Sequence, residues 1–158
     1  MLRENLNDFL DKIEWKEVKK EYLTLDEVKQ LAATPCRIPV LKQASLFACI
    51  TGLRISDILN LQWSDFGLAP DRGYCIRIRT QKTKTEATLP ISYEAYELCG
   101  EEGKGKVFKG LTRSMINYPL KHWLAEAGIE KHVTFHCLRH SHLSLSLKTN
   151  DLQNFNLR

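Results

Sequence analysis

No two of the chain's five cysteines form a CxxC pair: Cys36, Cys49, Cys75, Cys99 and Cys137 are widely scattered, and their number is odd. This pattern argues against a disulfide framework and for free thiols in a reducing compartment, most of them small core residues. No apolar run is continuous enough to span a membrane, and no signal-peptide pattern opens the chain. Internal repeats and low-complexity tracts are also missing, which excludes a solenoid. The chain is therefore expected to be soluble and cytoplasmic, with no membrane partner.

What is present is ordinary globular composition. Of 158 residues, 43% are hydrophobic and 27% charged, enough for one domain to bury a core without disulfide or metal staples. A net charge of +4 permits nucleic-acid binding without establishing it. Position is more informative than the total: basic residues gather in Arg72 to Lys84, in Lys104 to Arg113 and in Lys131 to Arg139. Any one of these clusters, taken alone, is equally consistent with a solvated surface.

Residues 1–22 are charged and weakly periodic and read as a linker or arm. Thr24-Leu25-Asp26-Glu27 is a capping box that starts a helix running to about Ala33, which Pro35 ends. From Pro39 to about Ile50 apolar residues dominate almost all round, the pattern of a buried helix. Gly52 breaks it and Arg54 opens the next helix, whose stripe is Ile55, Ile58, Leu59 and Leu61. An arginine at a helix start opposes the helix dipole, so Arg54 is wanted there for some other reason. Between Gly73 and Ile91 the period changes to two, predicting an antiparallel hairpin with Gln81 to Thr85 at its tip. Helix resumes at Ser92, a loop spans Gly100 to Gly110, and a long helix is expected from about Thr112 to Ala127 with Gly128 capping it. A last helix starts near Thr134 and reaches about Leu147.

Two short segments carry possible chemistry. His136 and Arg139 are three residues apart, so on a helix they share a face and could grip one anion together. Arginine suits phosphate because its planar fork binds two oxygens and never loses its charge. Either segment alone is weak. The order is rarer: Gly-Leu-Arg at a helix start, a hairpin with lysine at its tip, then His-x-Leu-Arg-His after a further helix.

Thr51-Gly52-Leu53-Arg54-Ile55-Ser56-Asp57, Leu61-x-Trp63-x-Asp65 and Thr134-x-His136-x-Leu138-Arg139-His140 resemble the catalytic domain of tyrosine recombinases, the family of phage and conjugative-transposon integrases, from about Leu23 to Ser141. The resemblance implies an α+β fold, mainly α-helical with a small antiparallel β-sheet. It also implies DNA strand cleavage and rejoining in site-specific recombination or integration, on double-stranded DNA and with possible self-association there. Arg54 and Arg139 would hold the scissile phosphate, Lys82 would protonate the leaving oxygen, and His136 would assist proton transfer at the nucleophile. Lys84 is the alternative to Lys82, and His140 is a structural partner. No metal or other cofactor is required, because arginines supply the charge stabilisation. Arg77, Arg79, Lys84 and Arg113, from the basic clusters, are the candidate DNA contacts.

The family's nucleophilic tyrosine follows the His-x-x-Arg box, whereas the last tyrosine here is Tyr118. Residues 23–147 are thus expected to be a partial catalytic domain and 148–158 a tail without family likeness, without the family's N-terminal clamp domain. The chain alone is expected to be inactive. The alternative is a non-catalytic DNA-binding or regulatory remnant of an integrase. A zinc module built on His132, His136, His140 and Cys137 is a further reading, disfavoured because His132 precedes the helix and no second ligand pair exists elsewhere.

Overall fold

The computed structural model describes residues 22–70, 73–79 and 85–146, with side-chain surroundings given as far as Ser141. The expected arm (apart from Tyr22), Arg72, most of the hairpin tip with Lys82 and Lys84, and the tail lie outside the described residues. Thr24 Oγ1 accepts from the Glu27 amide at 3.2 Å and Glu27 Oε1 accepts from the Thr24 amide at 3.0 Å, closing the capping box that starts α1, Leu25–Ala33. Helix α2, Pro39–Thr51, begins on a proline, whose missing N–H costs nothing in the first turn. Leu41, Ala44, Ser45, Leu46, Phe47, Ala48 and Cys49 on it are all buried. It is the central helix and packs against its neighbours on several sides.

Helix α3, Ile55–Asn60, is followed by a 3-10 turn at Trp63–Asp65. Asp65 Oδ2 accepts from the Gln62 amide at 2.9 Å, so the Leu61-x-Trp63-x-Asp65 motif is a turn sealed by its own carboxylate, with Leu61 and Trp63 buried. Strands β1 (Phe66–Leu68), β2 (Tyr74–Arg79) and β3 (Glu86–Ile91) form an antiparallel sheet in that order. In β2, Ile76 is buried and Arg77 and Arg79 are exposed, as a period of two expects, but Cys75 on the arginine face is buried as well. Strand β1 was not anticipated, since three residues are too few to display a period; Gly67 pairs with Cys75 and helps bury it. Pro90 is tolerated because β3 is an edge strand.

Helix α4, Tyr93–Leu98, is capped by Ser92. The expected long helix from Thr112 is not continuous. A 3-10 turn at Arg113–Ile116 ends at Asn117, with φ −92° and ψ −107°, and α5 runs separately over Tyr118–Glu126. Pro119 is the reason: in an unbroken helix it would lack the N–H owed to Met115 and its ring would strike the Met115 carbonyl. Restarting places the proline in a first turn instead. At the other end Gly128, φ 77°, and Ile129 donate to Ala125 and Leu124 carbonyls, a Schellman stop. Helix α6 spans Phe135–Ser146 and lies along α2. Fully buried Leu120, Trp123 and Leu138 seal α5 and α6 onto the core, and Trp123 Nε1 donates to the Thr34 carbonyl at 3.1 Å. Among the described residues, no helix is long and apolar enough to cross a membrane.

Candidate active site

The site begins with the way α2 stops. Thr51 Oγ1 donates to the Phe47 carbonyl at 2.7 Å and accepts from the Leu53 amide at 3.3 Å. Gly52 then takes a left-handed conformation, φ 76°, and donates to the Ala48 carbonyl. Such a φ suits glycine because a Cβ would crowd the backbone. Leu53 returns to the core, and Arg54 becomes the exposed N-cap of α3. Each residue of Thr51-Gly52-Leu53-Arg54 therefore has a mechanical part in turning the chain and projecting the arginine.

Arg139 reaches this turn from α6, where its Nε donates to the Gly52 carbonyl at 2.7 Å. That bond uses one of the guanidinium's five N–H groups and fixes the plane of the fork. Thr134 Oγ1 accepts from the Cys137 amide at 3.4 Å, capping α6, and lies 3.3 Å from Cys137 Sγ. One turn further, Leu138 is buried and Ser141 Oγ accepts from the Leu23 amide at 3.0 Å. His136 is exposed, and its Nε2 is 2.9 Å from Nε2 of His140, so one ring donates to the other. His140 also meets Tyr22 edge-on. It thus orients His136.

These residues line a cleft of about 460 Å³ that holds Arg54, His136 and Arg139 together with Arg113, Lys121 and His132. Among its described lining residues there is no carboxylate. Asn117 and Thr134 add polar groups. Four permanent cations without a counter-charge attract an anion rather than a cation or an apolar ligand. A larger groove of about 740 Å³ lies elsewhere, between the start of α2 and α4, lined by Pro35, Pro39, Leu46, Tyr93 and Tyr96 with Lys42 and Glu97. Having no such cation set, it is not the place for phosphate chemistry, whatever its size.

Three of the four expected catalytic residues, Arg54, His136 and Arg139, thus meet in one cleft, and Arg113 joins them. Lys82 and Lys84 lie outside the described residues. Arg77 and Arg79 are exposed on β2 and line a different depression, with Asp57, Asp65 and Glu86 around it. Lys131, counted in a basic cluster, is engaged structurally: its ammonium is 2.7 Å from Glu27 Oε1 and donates to the Tyr22 carbonyl at 3.2 Å. Burial pushes the Glu27 carboxyl up, but the bonds from Lys131 and Thr24 outweigh it and leave the group below the usual glutamate value. Lys121 was missed, because its place in the cleft depends on the break before Pro119. Among the described residues, no three His, Cys, Asp or Glu side chains converge to hold a metal.

The model of the phage integrase family matches residues 21–150. A tyrosine recombinase, XerD from Lacticaseibacillus casei, is 32% identical over an alignment covering 58% of this chain and 36% of that protein. The crystal structure of XerA recombinase superposes with a TM-score of 0.63 at 22% identity, over 82% of this chain and 50% of the other. The XerH site-specific recombinase bound to its difH substrate, in a pre-cleavage complex, gives 0.61 at 20% identity, over 85% and 45%. The chain therefore spans only about a third to a half of the length of these relatives. With the α+β architecture and the Gly-Leu-Arg and His-x-Leu-Arg-His segments joined at one cleft, the chain belongs to the phage integrase family, and its fold is that of a tyrosine recombinase catalytic domain.

Proposed function

We propose that this chain supplies the phosphate-gripping part of a site-specific recombinase that cuts and rejoins double-stranded DNA. The observation that carries this reading is the convergence of Arg54, His136 and Arg139, far apart in sequence, on one cleft that has no carboxylate among its described lining residues. Arg54 and Arg139 hold the non-bridging oxygens of the scissile phosphate and stabilise the charge that builds up during displacement. His136, held by His140, takes or gives the proton of the attacking hydroxyl. Lys82 is the acid for the leaving oxygen. The chemistry assigned to these groups needs no metal, since the arginines carry the charge stabilisation. Arg77, Arg79, Lys84 and Arg113 contact the DNA backbone, and copies of the chain associate on DNA.

The test is duplex binding by fluorescence anisotropy over a range of salt. The logarithm of the affinity falls linearly with log salt, and Arg54→Gln and Arg139→Gln each reduce the slope by about one. Binding that ignores salt would refute the reading. No residue after Arg139 in these 158 is a tyrosine, so incubation of this chain alone with duplex should leave no covalent band on a denaturing gel. An adduct mapped to Tyr118 would show that the nucleophile has been misassigned.

A further inference from the structure

The cleft carries more charge than one phosphodiester requires. A backbone phosphate brings a single negative charge, whereas Arg54, Arg113, Lys121 and Arg139 all face the same partly enclosed space. One bound phosphate would leave the remaining cations repelling one another, an energetic cost that a second anion relieves.

The basic residues of the cleft also divide by element. Arg54 and Arg139 come from the α2–α3 turn and from α6, tied together through the Gly52 carbonyl. Lys121 stands on the exposed side of α5, and His132 in the connection between α5 and α6. Lys121 and His132 also line a second depression of about 570 Å³, together with Leu124, Gly128, Glu130 and Lys131. They therefore sit at the junction of two hollows, one running on from the other. In the second hollow Lys131 is already neutralised by Glu27 and Glu130 adds a carboxylate, so an anion is drawn to Lys121 and His132 on the side they share with the first cleft, whose described lining holds no carboxylate. Among the described residues neither the Lys121 ammonium nor the His132 ring takes part in a hydrogen bond or ion pair. A surface lysine needs no partner, but Lys121 shares a cleft whose other permanent cations, Arg54, Arg113 and Arg139, are likewise without a counter-charge among the described lining residues.

We propose that Lys121 and His132 form a second phosphate subsite, which takes the phosphate next along the strand whose scissile phosphate lies at Arg54 and Arg139. The strand then runs from the α2–α3 turn across the exposed side of α5 toward the α5–α6 connection. The subsite rests on reading the cleft as a DNA-phosphate site, and it fixes the direction in which the backbone leaves that site. Its role is binding and positioning, not chemistry.

The experiment compares the 158-residue chain with its Lys121→Gln, His132→Gln and Arg54→Gln variants, by anisotropy on one labelled duplex across salt. Both new positions are exposed, so the variants keep the parent's thermal midpoint. The expected result is a salt slope smaller by about one for Lys121→Gln. His132→Gln weakens binding roughly threefold to tenfold, the worth of one lost hydrogen bond. If both variants match the parent while Arg54→Gln lowers the slope, the second subsite is wrong and the DNA reading stands. If Arg54→Gln also matches the parent, both fall together.

Discussion

Arg139 does two things with one side chain: its Nε holds the Gly52 carbonyl, and the rest of its fork faces the cleft. Lysine at this position keeps the charge but has neither the fork nor a second donor set in that plane. Arg139→Lys should therefore weaken duplex binding by about 1.5–3 kcal/mol while leaving the salt slope unchanged. An anisotropy titration of both proteins at several salt concentrations checks the two effects separately. Glu27 is a different kind of residue-scale device, because it ties the start of α1 to the connection that leads into α6. Its folded pKa lies below the ordinary glutamate value, so its contribution to stability is present above that value and is lost as pH falls through the folded pKa. The gap in urea midpoint between the parent and Glu27→Gln should be full at pH 7 and should close in acid. A gap that persisted at pH 2 would mean that the ion pair is not its source.

At the scale of elements, the site depends on three chain reversals more than on any helix. The α2–α3 turn sets where Arg54 stands, the break before Pro119 where Lys121 stands, and the Schellman stop at Gly128 where the chain turns toward His132. Gly52→Ala forces a side chain into the left-handed region and should cost about 1–2 kcal/mol of stability. Since the same peptide presents the carbonyl that anchors Arg139, the variant should also bind duplex more weakly than the stability loss alone explains. Urea unfolding and anisotropy on the same preparation separate the two. The capping box of Thr24 and Glu27 and the glycine at 52 were legible because each rests on chemistry within a few residues. By contrast β1 is too short to show a period, and the Pro119 break is masked by apolar residues that remain in helical register on both sides of it.

Across the whole molecule, α2 is the post around which α1, α3, α4 and α6 are arranged, and burial there governs thiol chemistry as well as packing. Burial pushes the Cys49 and Cys99 thiols up to about 12, so both should stay unmodified by a thiol reagent at pH 8 until the domain unfolds. Peptide mapping after timed labelling, with and without urea, would show it; labelling of Cys49 at the rate of an exposed thiol would mean the core opens locally.

The sequence by itself determined the class of fold and the family and singled out Arg54, His136 and Arg139 as candidates, because periodicity, caps and motif order are properties of neighbours along the chain. Tertiary structure alone decided that these three share a cleft with Arg113, Lys121 and His132, and that Arg77 and Arg79 belong to another hollow. It also decided that Lys131 is spent on Glu27. The physical reason is that charge acts through space: whether a cation faces an anion, a carboxylate or water depends on what the fold brings within a few ångströms, which no local pattern records.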